Sequence, residues 1–252
     1  MQLGDITADL RIGLSLCTRL PVAPIAPVGD GDVARASWSF PVAGLVIGII
    51  AAVVFWLATR LAVPVEPAAA LALAATMLAT GAMHEDGLAD TADGLGGGKT
   101  REQKLEIMRD SRIGTFGACA LGISLMLRWS ALATIAEPRS VAIALIVAHM
   151  AARAPLPLFM HLVPPARSDG LSTSAGQPPS TSTAIALGLG VLSLVFGFGW
   201  RGAMTGLMLL ALANLFLAWL SSRQIGGQTG DVLGTLEQVG EAIVLLIAAA
   251  LF

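Results

Sequence analysis

Seven apolar runs, most of them close to twenty residues long, constrain this chain more than any other feature. They fall at about 40–59, 67–83, 115–136, 140–162, 183–200, 202–220 and 232–252. Such a run matches the hydrocarbon thickness of a bilayer. The chain is 55% hydrophobic and only 13% charged, and a soluble domain of this size does not read as a series of membrane-length runs. The expected fold is all-α. It is a polytopic integral membrane helical bundle of about seven transmembrane helices plus an interfacial amphipathic helix, with residues 1–252 as one integral membrane catalytic domain. The stretch 8–20 is apolar but short, and Arg11 and Arg19 interrupt it, so it reads as an interfacial or re-entrant segment.

Loop charge sets the orientation. In a seven-span chain, Lys and Arg at 11, 19, 35, 99, 101, 104, 109, 112, 167 and 223 share one side, and only Arg60, Arg139 and Arg201 face the other. Ten against three places the first group in the cytoplasm, so a multi-pass protein of the cell inner membrane with a cytoplasmic active face is expected. Trp38, Trp56, Trp200 and Trp219 fall near span ends, as an aromatic belt would. Cys17 and Cys119 are too isolated for a disulfide framework or a zinc site. The N-terminus lacks the basic region of a cleaved signal peptide. A net charge of −2 gives no sign of nucleic-acid binding.

His84-Glu85-Asp86-Gly87-Leu88-Ala89-Asp90-Thr91-Ala92-Asp93-Gly94 puts four carboxylates in eleven residues, directly after an apolar run. Helix is expected to continue from 67–83 into this segment. Asp86, Asp90 and Asp93 then lie within roughly a 60° arc of one face. Carboxylates that face one another repel unless a cation sits between them, and oxygen-only ligands suit Mg²⁺. Gly87, Gly94 and Gly96-Gly97-Gly98 are poor helix formers that allow close backbone approach to a ligand. A solvated acidic helix end is the bland alternative.

Three further constellations share the expected cytoplasmic face. Arg109-Asp110-Ser111-Arg112-Ile113-Gly114-Thr115 offers guanidinium forks for phosphate, with Asp110 as a further candidate metal ligand. Gly226-Gly227-Gln228-Thr229-Gly230-Asp231 opens the last span as a Gly-rich anion cradle, or simply as its N-cap. The loop 164–182 is rich in Pro, Ser and Thr and reads as mobile. Thr100 to Arg109 reads as an amphipathic helix with a Thr100/Gln103 capping box, an apolar edge of Leu105 and Met108, and an exposed Arg101 whose replacement by Lys should change little. Glu237 and Glu241 lie about 9 and 15 Å into the last span by helical rise. With Arg128 and Arg153 they are either functional or paired structural charges. His84 is either a ligand or a hydrogen-bonded structural group. Acids for a divalent cation, arginines for phosphate and Gly turns together describe phosphoryl or nucleotidyl transfer on a diphosphate.

Residues 84–94, then Met108-Arg109-Asp110-Ser111-Arg112-x-Gly114-Thr115-x-Gly117, then Gly226-Gly227-Gln228-Thr229-Gly230-Asp231-x-Leu233-Gly234 closely resemble the adenosylcobinamide-GDP ribazoletransferase (cobalamin synthase) family. Thr18-Arg19-x-Pro21 and Phe40-Pro41-x-x-Gly44 extend the likeness, while Leu16 and Ser172 replace an expected Phe and Gly. The resemblance implies an Mg²⁺-dependent membrane transferase late in cobalamin biosynthesis. It would join α-ribazole, or its 5′-phosphate, to adenosylcobinamide-GDP and release GMP. It implies that Asp86, Asp90, Asp93 and Asp110 hold the metal. Asp93, Asp90 and Arg112 would be catalytic, and Arg109, Arg112, Ser111, Gly227, Thr229, Asp231 and Arg19 would bind substrate. A second copy of the chain and other late-pathway enzymes are further candidate partners. Two rival classes are a CDP-alcohol-type phospholipid synthase and an ion-coupled transporter. The first would lack the Arg109–Gly117 match. The second would place its charges at the midplane of paired repeats.

Overall fold

The computed structural model describes residues 3–252. α1 (Leu3–Cys17), α2 (Asp32–Ala36) and a 3-10 turn (Ser37–Ser39) lead into α3 (Phe40–Arg60). α4 (Val65–Thr80), α5 (Met83–Gly97), α6 (Arg101–Ile107) and α7 (Thr115–Ile135) follow. The remainder is α8 (Pro138–Arg153), α9 (Leu156–Leu162), α10 (Leu171–Ala175), α11 (Ser180–Ile225) and α12 (Gly230–Leu251). Among the described residues the only β-type pairing is an isolated parallel bridge between Pro165 and Gln228.

Five helical stretches are long and apolar enough to cross a membrane, and a sixth joins them if α4 and α5 count as one span. The expectation of about seven differs because it splits α11 into 183–200 and 202–220. A straight helix of 46 residues would be about 69 Å long, over twice the hydrocarbon thickness. Gly199 interrupts it at φ 66°. Beyond this break the two limbs lie side by side: a Cβ on Gly206 would sit 3.1 Å from Leu194, although twelve residues of straight helix span about 18 Å. Phe196 and Trp200, at 84% and 70% exposed, give this hairpin an apolar outer face that only lipid suits.

Helix does not run on from α4 into the acidic segment. Gly81 at φ 68° and Ala82 at φ 56° end α4 in left-handed geometry, and α5 leaves at 89°. The turn lays α5 across α12 and along α7. One apolar cluster fills the middle of the bundle around Phe55, Leu132, Leu145 and Val244. A second, around Cys17, Phe40, Met160 and Leu236, lies next to the polar segments. α1 is fastened to α2 and α3 by buried Asp9, which accepts from Trp38 Nε1 at 2.9 Å and pairs with Arg35. Trp38 is therefore a core residue, and the expected aromatic belt loses it. Trp56 and Trp219 each carry an Arg guanidinium over the ring, from Arg60 and Arg223.

Candidate active site

The acidic segment forms α5 as expected, and its position depends on one glycine. A Cβ on Gly87 would meet Asp231 O at 2.9 Å and Gly234 Cα at 3.3 Å. The close approach Gly87 permits is therefore to another helix backbone, not to a ligand. Thr235 Oγ1 shares its proton between Gly87 O at 3.2 Å and Asp231 O of its own helix at 3.0 Å, at the crossing. Asp90 consequently stands in the electrostatic reach of Asp86, Asp231 and Asp93, with Arg167 the nearby cation.

A cavity of about 230 Å³ opens beside this crossing. Its polar wall is Asp86, Asp231, Arg167 and His84, and its apolar wall includes Leu16, Phe40 and Met160. The walls come from the ends of α1, α3, α5 and α12, from α2, α9 and α10, and from Arg167 in the connection after α9. The polar segments around 84–94, 164–182 and 226–231 thus do converge. Arg167 Nη2 donates to Asp231 Oδ2 at 3.1 Å, and Nη1 is buried with no partner. Among the described residues no hydrogen-bond or ion-pair partner reaches the carboxylates of Asp86 or Asp90. Asp231 also accepts from Thr229 Oγ1 at 3.1 Å. Thr229 caps α12 by accepting from Val232 N.

Other expected site residues have different occupations. Asp93 is buried, and its two oxygens accept from Gly114 N at 2.7 Å and Gly117 N at 2.8 Å. It satisfies the open N–H groups at the start of α7, and Asp93 does not line the cavity. Asp110 pairs with Arg112 at 2.5 Å. The Arg112 guanidinium beside it holds the Asp110 carboxyl below its ordinary range. Arg112 is 86% exposed, Ser111 is exposed, and none of the three lines the cavity. Arg109 pairs with Asp169 at 2.5 Å on the surface. Arg19 packs its side chain against Gly81, outside the cavity. Gly227 is pressed against Pro164 O, where a Cβ would come within 2.1 Å. The arginine that does face the acids is Arg167. Its sequence signal was only its charge inside a Pro- and Ser-rich loop that reads as mobile. Within that loop Leu171–Ala175 forms α10, and Ser172 and Ala175 line the cavity.

Beneath the cavity lies a buried ionic network. Arg128 reaches Glu85 at 3.3 Å and Glu241 at 3.0 Å. Arg153 reaches Glu237 at 2.5 Å and Glu241 at 3.2 Å. Gln238 donates to Glu85 and Glu237 at 3.3 and 3.1 Å, and His149 pairs with Glu241. His84 Nδ1 lies 3.8 Å from Glu237. Among the described residues His149, Glu237 and Glu241 form the only trio of close metal-type ligands. Arg153 Nη1 also lies 3.1 Å from His149 Nδ1, so a guanidinium already occupies the middle of that trio. The intramembrane charges are paired across α5, α7, α8 and α12, as the structural alternative expected.

Oxygen donors with no protein partner, set beside a half-free guanidinium in a cleft with one apolar wall, suit a cation-bound phosphate on an amphiphile. Comparison with known proteins identifies the family. Residues 9–249 match the family described as cobalamin-5-phosphate synthase. A Bradyrhizobium diazoefficiens protein named adenosylcobinamide-GDP ribazoletransferase is 61% identical over 246 residues, covering 98% of this chain and 95% of its own. Proteins of the same name from Mesorhizobium japonicum and Azorhizobium caulinodans are 52% and 42% identical, with 97% and 98% of this chain covered and 94% and 97% of theirs. No solved structure matches the chain. Since the match runs through nearly every residue, including those that line the cavity, the chain belongs to the cobalamin-5-phosphate synthase family.

Proposed function

We infer that this chain is an enzyme that joins α-ribazole, or its 5′-phosphate, to adenosylcobinamide-GDP and releases GMP, late in cobalamin biosynthesis. The observation that carries this is the 61% identity to a ribazoletransferase across almost the whole of both chains. The cavity supports it, with acids and an arginine set against an apolar wall.

Asp86 and Asp231 would hold Mg²⁺, which takes one or two carboxylates together with substrate phosphate oxygens. Mg²⁺ so placed would neutralise charge on the diphosphate and on the departing GMP. Arg167, oriented by Asp231, presents its free Nη1 to a phosphate oxygen. Asp90, which feels the charge of Asp86 and Asp231 from just outside the cavity lining, would accept the proton of the ribose hydroxyl. That hydroxyl forms a bond to the phosphorus on the cobinamide side as the bond to the GMP oxygen breaks. The apolar wall of Leu16, Phe40 and Met160 takes part of the corrinoid or the benzimidazole.

The whole chain serves as one catalytic domain in the inner membrane. The cavity faces the cytoplasm, because the basic loops lie on its side. Purified protein in liposomes, given adenosylcobinamide-GDP and α-ribazole, should release GMP only with Mg²⁺. No GMP with both substrates and Mg²⁺ present, from protein that is folded and inserted, would overturn the assignment.

A further inference from the structure

We propose that Arg101 is a positioning residue. Its guanidinium clamps the connection after α9 to the turn before α12, and so sets the Arg167–Asp231 pair. The proposal rests on the site reading above. Arg101 opens α6 just after the capping box formed by Thr100 and Gln103. It reaches away from its own helix. Nε donates to Ile225 O, the last carbonyl of α11, at 2.7 Å. Nη2 donates to Ala166 O, directly before Arg167. The two carbonyls belong to segments about sixty residues apart in sequence.

These segments are also joined by backbone. Ala166 N donates to Gln228 O at 2.7 Å, and Gln228 N donates to Pro164 O at 2.8 Å. The two bonds make a bridge with no neighbouring strand to support it. One residue beyond the bridge on one side is Arg167. Three residues beyond it on the other is Asp231. A two-bond bridge between connections is weak alone, since each net hydrogen bond contributes only about 1 kcal/mol. A planar guanidinium that grips one carbonyl on each side adds two charge-assisted bonds in a fixed geometry. Gly226, at φ 81°, leaves room for that grip, because a Cβ there would lie 3.1 Å from Arg101 Nε. Arg101 itself lies outside the cavity. Arg101 is exposed, as the sequence suggests, and the clamp runs against the expectation that Lys in its place changes little.

The test uses purified full-length protein and three variants, Arg101→Lys, Arg101→Gln and Gly227→Ala. Lys keeps the charge but loses the planar two-point fork. Gly227→Ala breaks the same bridge from the other side without touching Arg101. Hydrogen exchange reads the bridge directly through the amides of Ala166 and Gln228. Exchange there should accelerate by about tenfold in Arg101→Lys and more in the other two, one hydrogen bond's worth or greater. In the liposome assay kcat/KM for adenosylcobinamide-GDP should fall in the same order, by about tenfold for Lys, with KM for α-ribazole unchanged. A merely structural Arg101 would lower thermal stability and depress both substrates equally. Unchanged exchange in all three variants overturns the clamp. Accelerated exchange with wild-type kcat/KM leaves the clamp standing and refutes its link to the site, and with it the role given to Arg167.

Discussion

Replacing Gly87 by Ala tests the crossing of α5 over α12, because two effects of opposite sign meet there. Ala is a better helix former than Gly by about 1 kcal/mol. Its Cβ, however, would stand 2.9 Å from Asp231 O, where ordinary contact begins at 3.4 Å. Backbone cannot rotate away as a side chain can, so the helices must separate by about 0.5 Å, and such overpacking costs about 1–3 kcal/mol. Net stability should therefore fall by no more than about 2 kcal/mol. Activity should fall further than stability suggests. A 1 Å misplacement at a reacting centre costs about a hundredfold, so half of that predicts about tenfold in kcat/KM, or about 1.4 kcal/mol of barrier. The assay is GMP release from proteoliposomes with thermal unfolding measured in parallel. Gly188→Ala is the control, since a Cβ there meets nothing within 4 Å. It should leave activity intact and hold or raise the unfolding temperature. If Gly87→Ala keeps kcat/KM within about twofold of wild type and unfolds no earlier, the backbone contact does not position the acids and the argument fails.

Arg167→Lys loses the planar fork between Asp231 and the substrate, so kcat/KM for adenosylcobinamide-GDP should drop by about tenfold or more. Arg112→Lys, on an 86% exposed side chain paired only with Asp110, should change little in the same kinetics. Arg153→Met leaves Glu237 and Glu241 buried without their shared guanidinium. It should destabilise by about 3–5 kcal/mol, and a thermal scan showing no loss would mean the network carries no net stability. Single cysteines at residues 170 and 223 should be labelled only from the cytoplasmic side of intact cells. External labelling of residue 170 would break the assignment of the cavity to that face.

The helical membrane architecture was legible because lipid leaves a long apolar run little choice of structure. The acidic helix was legible too, as were the Thr100/Gln103 capping box and the convergence of the polar loops. The rest turned on contacts at distance, which local periodicity does not carry. Asp93 shares a helical face with Asp86 and Asp90, yet that face meets two neighbours, and the start of α7 claims Asp93. Gly87 announces a close approach without saying to what, and the partner is the backbone of Asp231. Arg109 and Arg112 carry the densest motif but face outward, toward Asp169 and Asp110. Arg167 sits in a segment whose Pro, Ser and Thr content reads as mobile, and its partners lie more than sixty residues away at Asp231. The break at Gly81 and Ala82 was likewise hidden, because an alanine at φ 56° has no sequence signature.

The most direct test of the account is an Mg²⁺ titration of GMP release with Asp86→Asn, Asp231→Asn and Asp110→Asn side by side. Removing either carboxylate of the cavity should raise the Mg²⁺ needed for half-maximal rate and cut kcat/KM by about a hundredfold, or about 2.7 kcal/mol. Asp110→Asn should follow the wild-type curve, because its carboxylate faces Arg112 on the surface. If Asp110→Asn instead costs as much as Asp86→Asn while Asp231→Asn titrates like wild type, the metal lies at the surface arginine motif and the cavity is not the active site.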